Sequence, residues 1–399
     1  MLTGRDIIVF SDDWGRHPFS CQHIMAQFLP ENRIIWVQTI GMRSPRFTLY
    51  DLRRSFQKLR SFIKPAAPSK PLPVNLTLLN PFMLPFGNPL VRGLNRYSVI
   101  RRVRNSLAQL RFRDPILLTT LPNAADYLGA FDEILSLFYC VDEFSQWPGV
   151  NRPLVELMER KLLQRVDLVV AVSDALCASK RPANGSGVRL LTHGVDAAHF
   201  GRAALVTANP GPVTALGDIP GPIIGYFGLF DQRSDQDLLE FLLKSRPDWS
   251  LVILGTAVAG YEKLSRYSNF FHREAVPYDE LPEYVSYFSV CILPYVRTLL
   301  TDNINPLKLK EYLATGKPVV ATAIPECRRY ESVIRVADSH DEFLAAVIET
   351  LSEGCEKGAE RKRAVVGDTW RDRAERLSRD IEERLADKKA KKFAGVREC

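Results

Sequence analysis

Short apolar runs alternate with segments of helical periodicity along nearly the whole chain, and few folds other than parallel α/β layers accept that pattern. In the first half, Ile7–Phe10, Arg33–Val37, Ile116–Thr119, Leu137–Cys140, Leu168–Ala171 and Arg189–Thr192 read as buried strands. Between them Ser20–Leu29, a basic helical region, Pro153–Arg165 and Asp174–Lys180 read as helices. Asn75–Leu79 is one more strand inside an irregular crossing rich in Pro and Asn, residues 64–89. The second half restarts at Ile223–Phe227 and continues through Leu251–Leu254, Phe270–Phe271, Val290–Leu293, Val319–Ala321 and Ile334–Val336. Periodic segments intervene at Leu238–Leu243, Leu281–Tyr287, Pro306–Thr315 and Asp341–Glu353.

At 399 residues the chain exceeds the size at which a single core keeps growing, so two domains are expected. Pro and Gly crowd together with Asn and Asp at 206–222, which reads as a linker between domains 1–205 and 223–368; residues 369–399 are a charged helix and tail. With 46% apolar and 25% charged residues the composition is that of a globular protein, not a disordered one. Seven cysteines without a CxxC pair favour a reducing compartment over a disulfide scaffold or a zinc site. Met1 to Asp6 leads straight into a strand-like run with no leader-type apolar region, and no run reaches the roughly 18 to 20 apolar residues of a membrane span. A cytoplasmic location is the expectation.

The net charge of +7 is unevenly spread: from Arg43 to Arg113 there are fifteen Lys and Arg and a single acid, Asp51. Leu49, Leu52, Phe56, Leu59 and Ile63 recur at three and four and share one face of a basic amphipathic helix. Such a helix either lies on an anionic membrane leaflet, at the inner face of the plasma membrane, or packs on its own domain with a solvated basic back. Nucleic acid is not an expected partner, because no binding module accompanies the charge and the aromatics sit at core spacing.

Candidate chemistry lies at strand ends, where ligands bind in parallel α/β sheets. Asn305 is a good N-cap and Pro306 suits a first helical position, leaving the amides of Leu307 and Lys308 at the positive end of a helix dipole. The Lys308 ammonium adds a full charge there, and Glu311, on the same face, can accept hydrogen bonds from two ribose hydroxyls. Alone, this stretch reads equally as an ordinary capped helix. Gly225-Tyr-Phe-Gly228 follows the first strand of the second half, and Arg233 on that loop can fork onto a diphosphate; the spacing departs from a dinucleotide GxGxxG. In the first half Asp13 and Trp14 leave the first strand, Asp142 leaves a later one, and His193 ends the last. Turn or helix capping explains Asp12 and Asp13 as readily as function does.

These motifs together resemble the family-4 glycosyltransferases, of the GT-B architecture. The carriers are Asn305-Pro-Leu-Lys308-Leu-Lys-Glu311 through Val320, Gly225 to Arg233, His193-Gly-Val-Asp196 and Thr369-Trp370. The resemblance implies an α/β fold of two Rossmann-like domains facing across a cleft, with a C-terminal helix crossing back to the first. It further implies retaining transfer of a sugar from a nucleotide sugar to a lipid-linked or polysaccharide acceptor in cell-surface polysaccharide biosynthesis, with neither metal nor cofactor. Gly228, Arg233, Asn303, Asn305, Leu307, Lys308 and Glu311 would bind the donor. Asp142, Arg233 and Lys308 would be catalytic, and Asp13, Trp14 and His193 would line the acceptor side. The sequence departs from the family pattern three times: Asn303 replaces the first acid of the Glu pair, Leu238 a phosphate lysine, and Val141 a histidine beside Asp142. A sugar-nucleotide epimerase of the same fold and a non-catalytic scaffold are the alternatives.

Overall fold

The computed structural model describes residues 1–15, 19–39, 72–203, 216–258, 261–353 and 356–397. They form two units: Met1–Thr192 together with the chain from Arg373 onward, and His193–Asp372.

Numbered in chain order, the first unit contains β1 (Asp6–Ser11), α1 (Ser20–Phe28), β2 (Arg33–Gln38), β3 (Leu76–Leu79), α2 (Pro89–Leu110), β4 (Ile116–Thr119) and β5 (Leu135–Cys140). It continues with α3 (Arg152–Leu163), β6 (Leu168–Ala171), α4 (Asp174–Ser179) and β7 (Val188–Leu190). All neighbours are parallel, in the order β3-β2-β1-β4-β5-β6-β7. Every residue of β1, β4, β5 and β6 is buried, which is why those strands read as unbroken apolar runs instead of alternating ones. The Asn88 side chain caps α2 by accepting the Val91 N–H at 2.9 Å, with Pro89 in the first turn.

The second unit contains α5 (Ala197–Gly201), β8 (Ile223–Phe227), α6 (Gln236–Ser245), β9 (Ser250–Leu254), α7 (Tyr261–Leu264), β10 (Phe270–Arg273), α8 (Leu281–Ser286) and β11 (Val290–Leu293). After these come α9 (Leu307–Thr315), β12 (Val319–Thr322), α10 (Pro325–Arg328), β13 (Arg335–Ala337), α11 (His340–Leu351) and α12 (Glu356–Arg363). The parallel order is β10-β9-β8-β11-β12-β13, the Rossmann order 3-2-1-4-5-6, which reverses between β8 and β11. Side chains along β8 divide between two cores: Ile223 and Phe227 join Leu309, Leu313 and Val319, while Ile224 and Tyr226 join Leu239, Ile253 and Phe343. Gly225 sits between them against Phe288, where a Cβ would lie 2.2 Å from the ring, so only glycine fits.

The last helix, α13 (Trp370–Arg397), starts in the second unit and joins the first from Arg373. Ala374, Leu377, Ile381 and Leu385, at helical spacing, are buried. Ser378 Oγ accepts the Leu2 N–H at 2.9 Å, and Lys388 Nζ reaches Asp167 at 2.7 Å.

Two expectations need correction or limits. The units divide at Thr192/His193, ahead of the Pro- and Gly-rich stretch expected as the linker. The reason is packing: His199 stacks on Tyr278 at 4.5 Å, and Phe200, Leu216 and Ile219 are buried in the second unit's core. The basic helix expected around Leu49–Ile63 lies outside the described residues, so of the basic region 43–113 only 72–113 is described.

Candidate active site

The reversal between β8 and β11 gathers most of the expected donor residues at one carboxyl edge. Gly228, just past β8, has φ +110°, and its N–H donates to Leu254 O at 2.8 Å. The Lys308 side chain lies across it: a Cβ at Gly228 would meet Lys308 Cε at 2.3 Å and Nζ at 2.9 Å. Gly255, φ +141°, backs the same turn, with a hypothetical Cβ 2.3 Å from Gly228 O. The two glycines therefore keep the loop thin enough for a cation to reach over it.

Lys308 Nζ also stands 5.2 Å from the centroid of the Tyr226 ring. Burial pushes the Tyr295 hydroxyl up to about 12, while Lys308 and Arg233 both pull it down. Arg233 is held by Asp231 in a bidentate pair, Nη2 to Oδ2 at 2.9 Å and Nε to Oδ1 at 3.0 Å. Glu311, one turn along α9, is partly buried; burial pushes its carboxyl up to about 7, with Lys308 pulling the other way.

Asn305 does not cap α9. The residue at the cap is Pro306, and the Asn305 side chain instead accepts the His193 N–H at 3.0 Å and donates to Glu326 Oε2 at 2.7 Å. His193, expected on the acceptor side, is buried, and its backbone is the anchor: its carbonyl accepts Lys310 Nζ at 2.5 Å. Asn303 donates its amide to Leu299 O at 2.5 Å within the β11–α9 loop. Leu307 opens α9 and is partly buried.

In the first unit, Asp13 and Trp14 follow β1. Trp14 packs edge-on against Trp36 at 4.8 Å, and the N-cap of α1 is Phe19, so neither aspartate there caps that helix. Asp142 follows β5 and is nearly buried; its carboxylate accepts the Glu143 N–H at 2.8 Å and Trp147 Nε1–H at 2.9 Å, which fix its orientation.

Sequence reasoning missed two buried lysines. Lys180 bridges Glu143 and Glu159, each at 2.7 Å; burial disfavours its ammonium, yet Cys140, Glu159 and Glu143 hold its pKa above the ordinary value. Lys310 pairs with Asp368 at 2.6 Å. Nothing local marks either, because their partners lie far along the chain. Among the described residues no group of three or more His, Cys, Asp or Glu side chains is arranged to hold a metal ion, and no helix is long and apolar enough to cross a membrane.

Residues 221–353 match the family of glycosyl transferases group 1, a segment that holds Gly228, Arg233, Asn303, Lys308 and Glu311. The Bacillus subtilis protein TuaH, named as a teichuronic acid biosynthesis glycosyltransferase, is 25% identical over 216 residues, 51% of this chain and 53% of that one. The match thus spans about half the length of this curated relative. Sucrose-phosphate synthase from Thermosynechococcus elongatus superposes with a TM-score of 0.68 at 14% identity, over 96% of this chain and 100% of that one. Anabaena HepE, solved in complex with UDP and glucose, gives 0.63 at 12% identity, over 95% and 99%. At such identities the structural likeness speaks for the fold. The chain therefore has the two parallel-sheet Rossmann-like α/β domains of these GT-B structures and, over residues 221–353, the sequence signature of glycosyl transferases group 1.

Proposed function

We propose that this protein is a glycosyltransferase of cell-surface polysaccharide biosynthesis, moving a sugar from a nucleoside diphosphate to a lipid-linked or saccharide acceptor, with retention and without metal or cofactor. The observation that carries this reading is Lys308 lying on Gly228, 5.2 Å from the Tyr226 ring centroid, with Arg233 on the segment that follows Gly228 and Glu311 one turn along α9. A departing nucleoside diphosphate gains charge as the glycosidic bond breaks. Two cations and the first amides of α9 lower the barrier by compensating it without rearranging. Asp142 is the candidate on the first unit for the reacting side of the sugar, its carboxylate held by Trp147. The family match over 221–353, the naming of TuaH and the UDP and glucose bound by HepE support the same reading.

The ribose role of Glu311 predicts a pH dependence. Hydroxyls donate best to the ionised carboxylate, so nucleoside diphosphate affinity should rise from about pH 6 to about pH 8. The sign for stability is opposite. A carboxyl whose folded pKa is raised to about 7 binds its proton more tightly in the folded state, so the ligand-free protein loses stability as pH rises through that value. Glu311→Ala should raise the dissociation constant of the matching nucleoside diphosphate about 10- to 100-fold and flatten its pH profile. Calorimetric titration across a panel of nucleotides reads both; an unchanged constant in the variant removes the ribose role. If neither binding nor sugar release is seen with any nucleotide sugar at millimolar concentration, the transferase reading itself falls.

A further inference from the structure

Lys308 crosses the end of β8 to reach its resting place. Helix α9 packs through Leu309 and Leu313 on the core that holds Ile223 and Phe227. The Lys308 side chain nevertheless passes over Gly228 and sets its ammonium 5.2 Å from the ring centroid of Tyr226, which belongs to the other core. Gly228 is the gap it uses, since a Cβ there would meet Lys308 Cε at 2.3 Å. The ring on the far side is fixed in place. Tyr226 is 1% exposed, stands edge-on to Phe230 at 6.2 Å, and donates its hydroxyl to Leu229 O at 2.7 Å, which ties the ring to the Gly228 turn. Burial pushes the Tyr226 phenol up, so it stays protonated and neutral.

Two cations of the candidate site are thus held in opposite ways. Arg233 is gripped by Asp231, an anion that offsets its charge. Among the described residues Lys308 makes no ion pair, and what it faces is a π surface. The ring quadrupole attracts an ammonium without neutralising it and without taking up its N–H groups as a carboxylate does. An ammonium seated there keeps its full charge and its three donors for an arriving anion. Its rotamer freedom has already been given up on folding, so less is lost when the anion binds. We infer that Tyr226 is a positioning residue, its ring seating the Lys308 ammonium over the Gly228 turn, in place and uncompensated, for a diphosphate. The inference rests on the reading of Lys308 as a diphosphate cation and adds a residue that acts through Lys308 alone.

The test weakens the quadrupole of the ring and keeps its shape. Tyr226→Phe, and then trifluorophenylalanine introduced at the same position by stop-codon suppression, are titrated calorimetrically with UDP, GDP, ADP, CDP and dTDP. The full chain is used, once with Lys308 and once carrying Lys308→Met. Tyr226→Phe keeps the ring and is expected to bind within about threefold of the wild type. Fluorination should then lower affinity by about three- to tenfold at a nearly unchanged melting temperature, and by less than about twofold in the Lys308→Met background. Equal affinity of the plain and fluorinated rings overturns the inference. An equal fall with and without Lys308 does the same, since that is the mark of a packing role. A loss at Tyr226→Phe that fluorination does not deepen would assign the effect to the Leu229 tether and remove the ring as the seat. If the wild type binds none of the five nucleotides, the diphosphate reading of Lys308 falls and takes this inference with it, whereas binding that ignores ring fluorination sinks the inference alone.

Discussion

Lys308→Met is expected to lower the turnover of sugar transfer by about two to three orders of magnitude while leaving the melting temperature nearly unchanged. The side chain lies on Gly228 and over the Tyr226 ring, partly open to solvent, so little packing is lost with its ammonium. What is lost is a unit charge, preorganised where the proposed reading puts the departing diphosphate. Arg233→Met should be milder, because the Arg233 guanidinium already shares its charge with Asp231. Steady-state kinetics on the two variants, with nucleoside diphosphate titration alongside, separate the cases. A fall of less than about tenfold for Lys308→Met, or a larger fall for Arg233→Met, would remove Lys308 from the leading role.

The second large effect is on folding. Lys310 is 1% exposed, and its ammonium is shared between the Asp368 carboxylate at 2.6 Å and the His193 carbonyl at 2.5 Å. Lys310→Ala leaves a carboxylate and a carbonyl facing a cavity, and removing one partner of a buried pair costs about 3–5 kcal/mol. Asp368 retains some contact with water and accepts from Tyr330 Oη at 3.3 Å, which favours the lower end of that range. A melting temperature lowered by about 6–12 °C is expected by calorimetry. A loss below about 1 kcal/mol would mean that water replaces the lysine at no cost, as at an exposed pair.

Most strands were legible because both faces of each sheet are covered, which leaves short apolar runs with little competing pattern: Ile223–Phe227 and β8 coincide, and Leu251–Leu254 misses one residue of β9. β10 was read short, as Phe270–Phe271, because His272 and Arg273 pair in the sheet on backbone alone. The grouping of candidate residues was legible where its logic is local: Lys308 does lie on Gly228, with Glu311 one turn along the same helix. It was not legible where a side chain is claimed from afar. Asn305 has the residue type and position of a cap, yet its amide goes to His193 and Glu326, 112 and 21 residues away. At Asn88, with the same Asn-Pro pair and no such competition, the cap forms. The Asp231–Arg233 pair is a different miss, since an acid two residues before an arginine in a turn was there to be read.

The hydrogen bond from Val195 N–H to Asp368 O, 2.8 Å long, and the bridge between Val195 and Thr369 close the second unit's first and last residues on each other. In genetic terms that unit is a cassette spliced into the first, whose own chain resumes at Arg373. Its ends are zipped together, with both sheet edges and both cores complete inside it, so excising residues 193–372 cuts two covalent links and opens no sheet. Residues 193–372 are thereby one continuous stretch whose two ends meet, the topology of an insert carried by a single host fold.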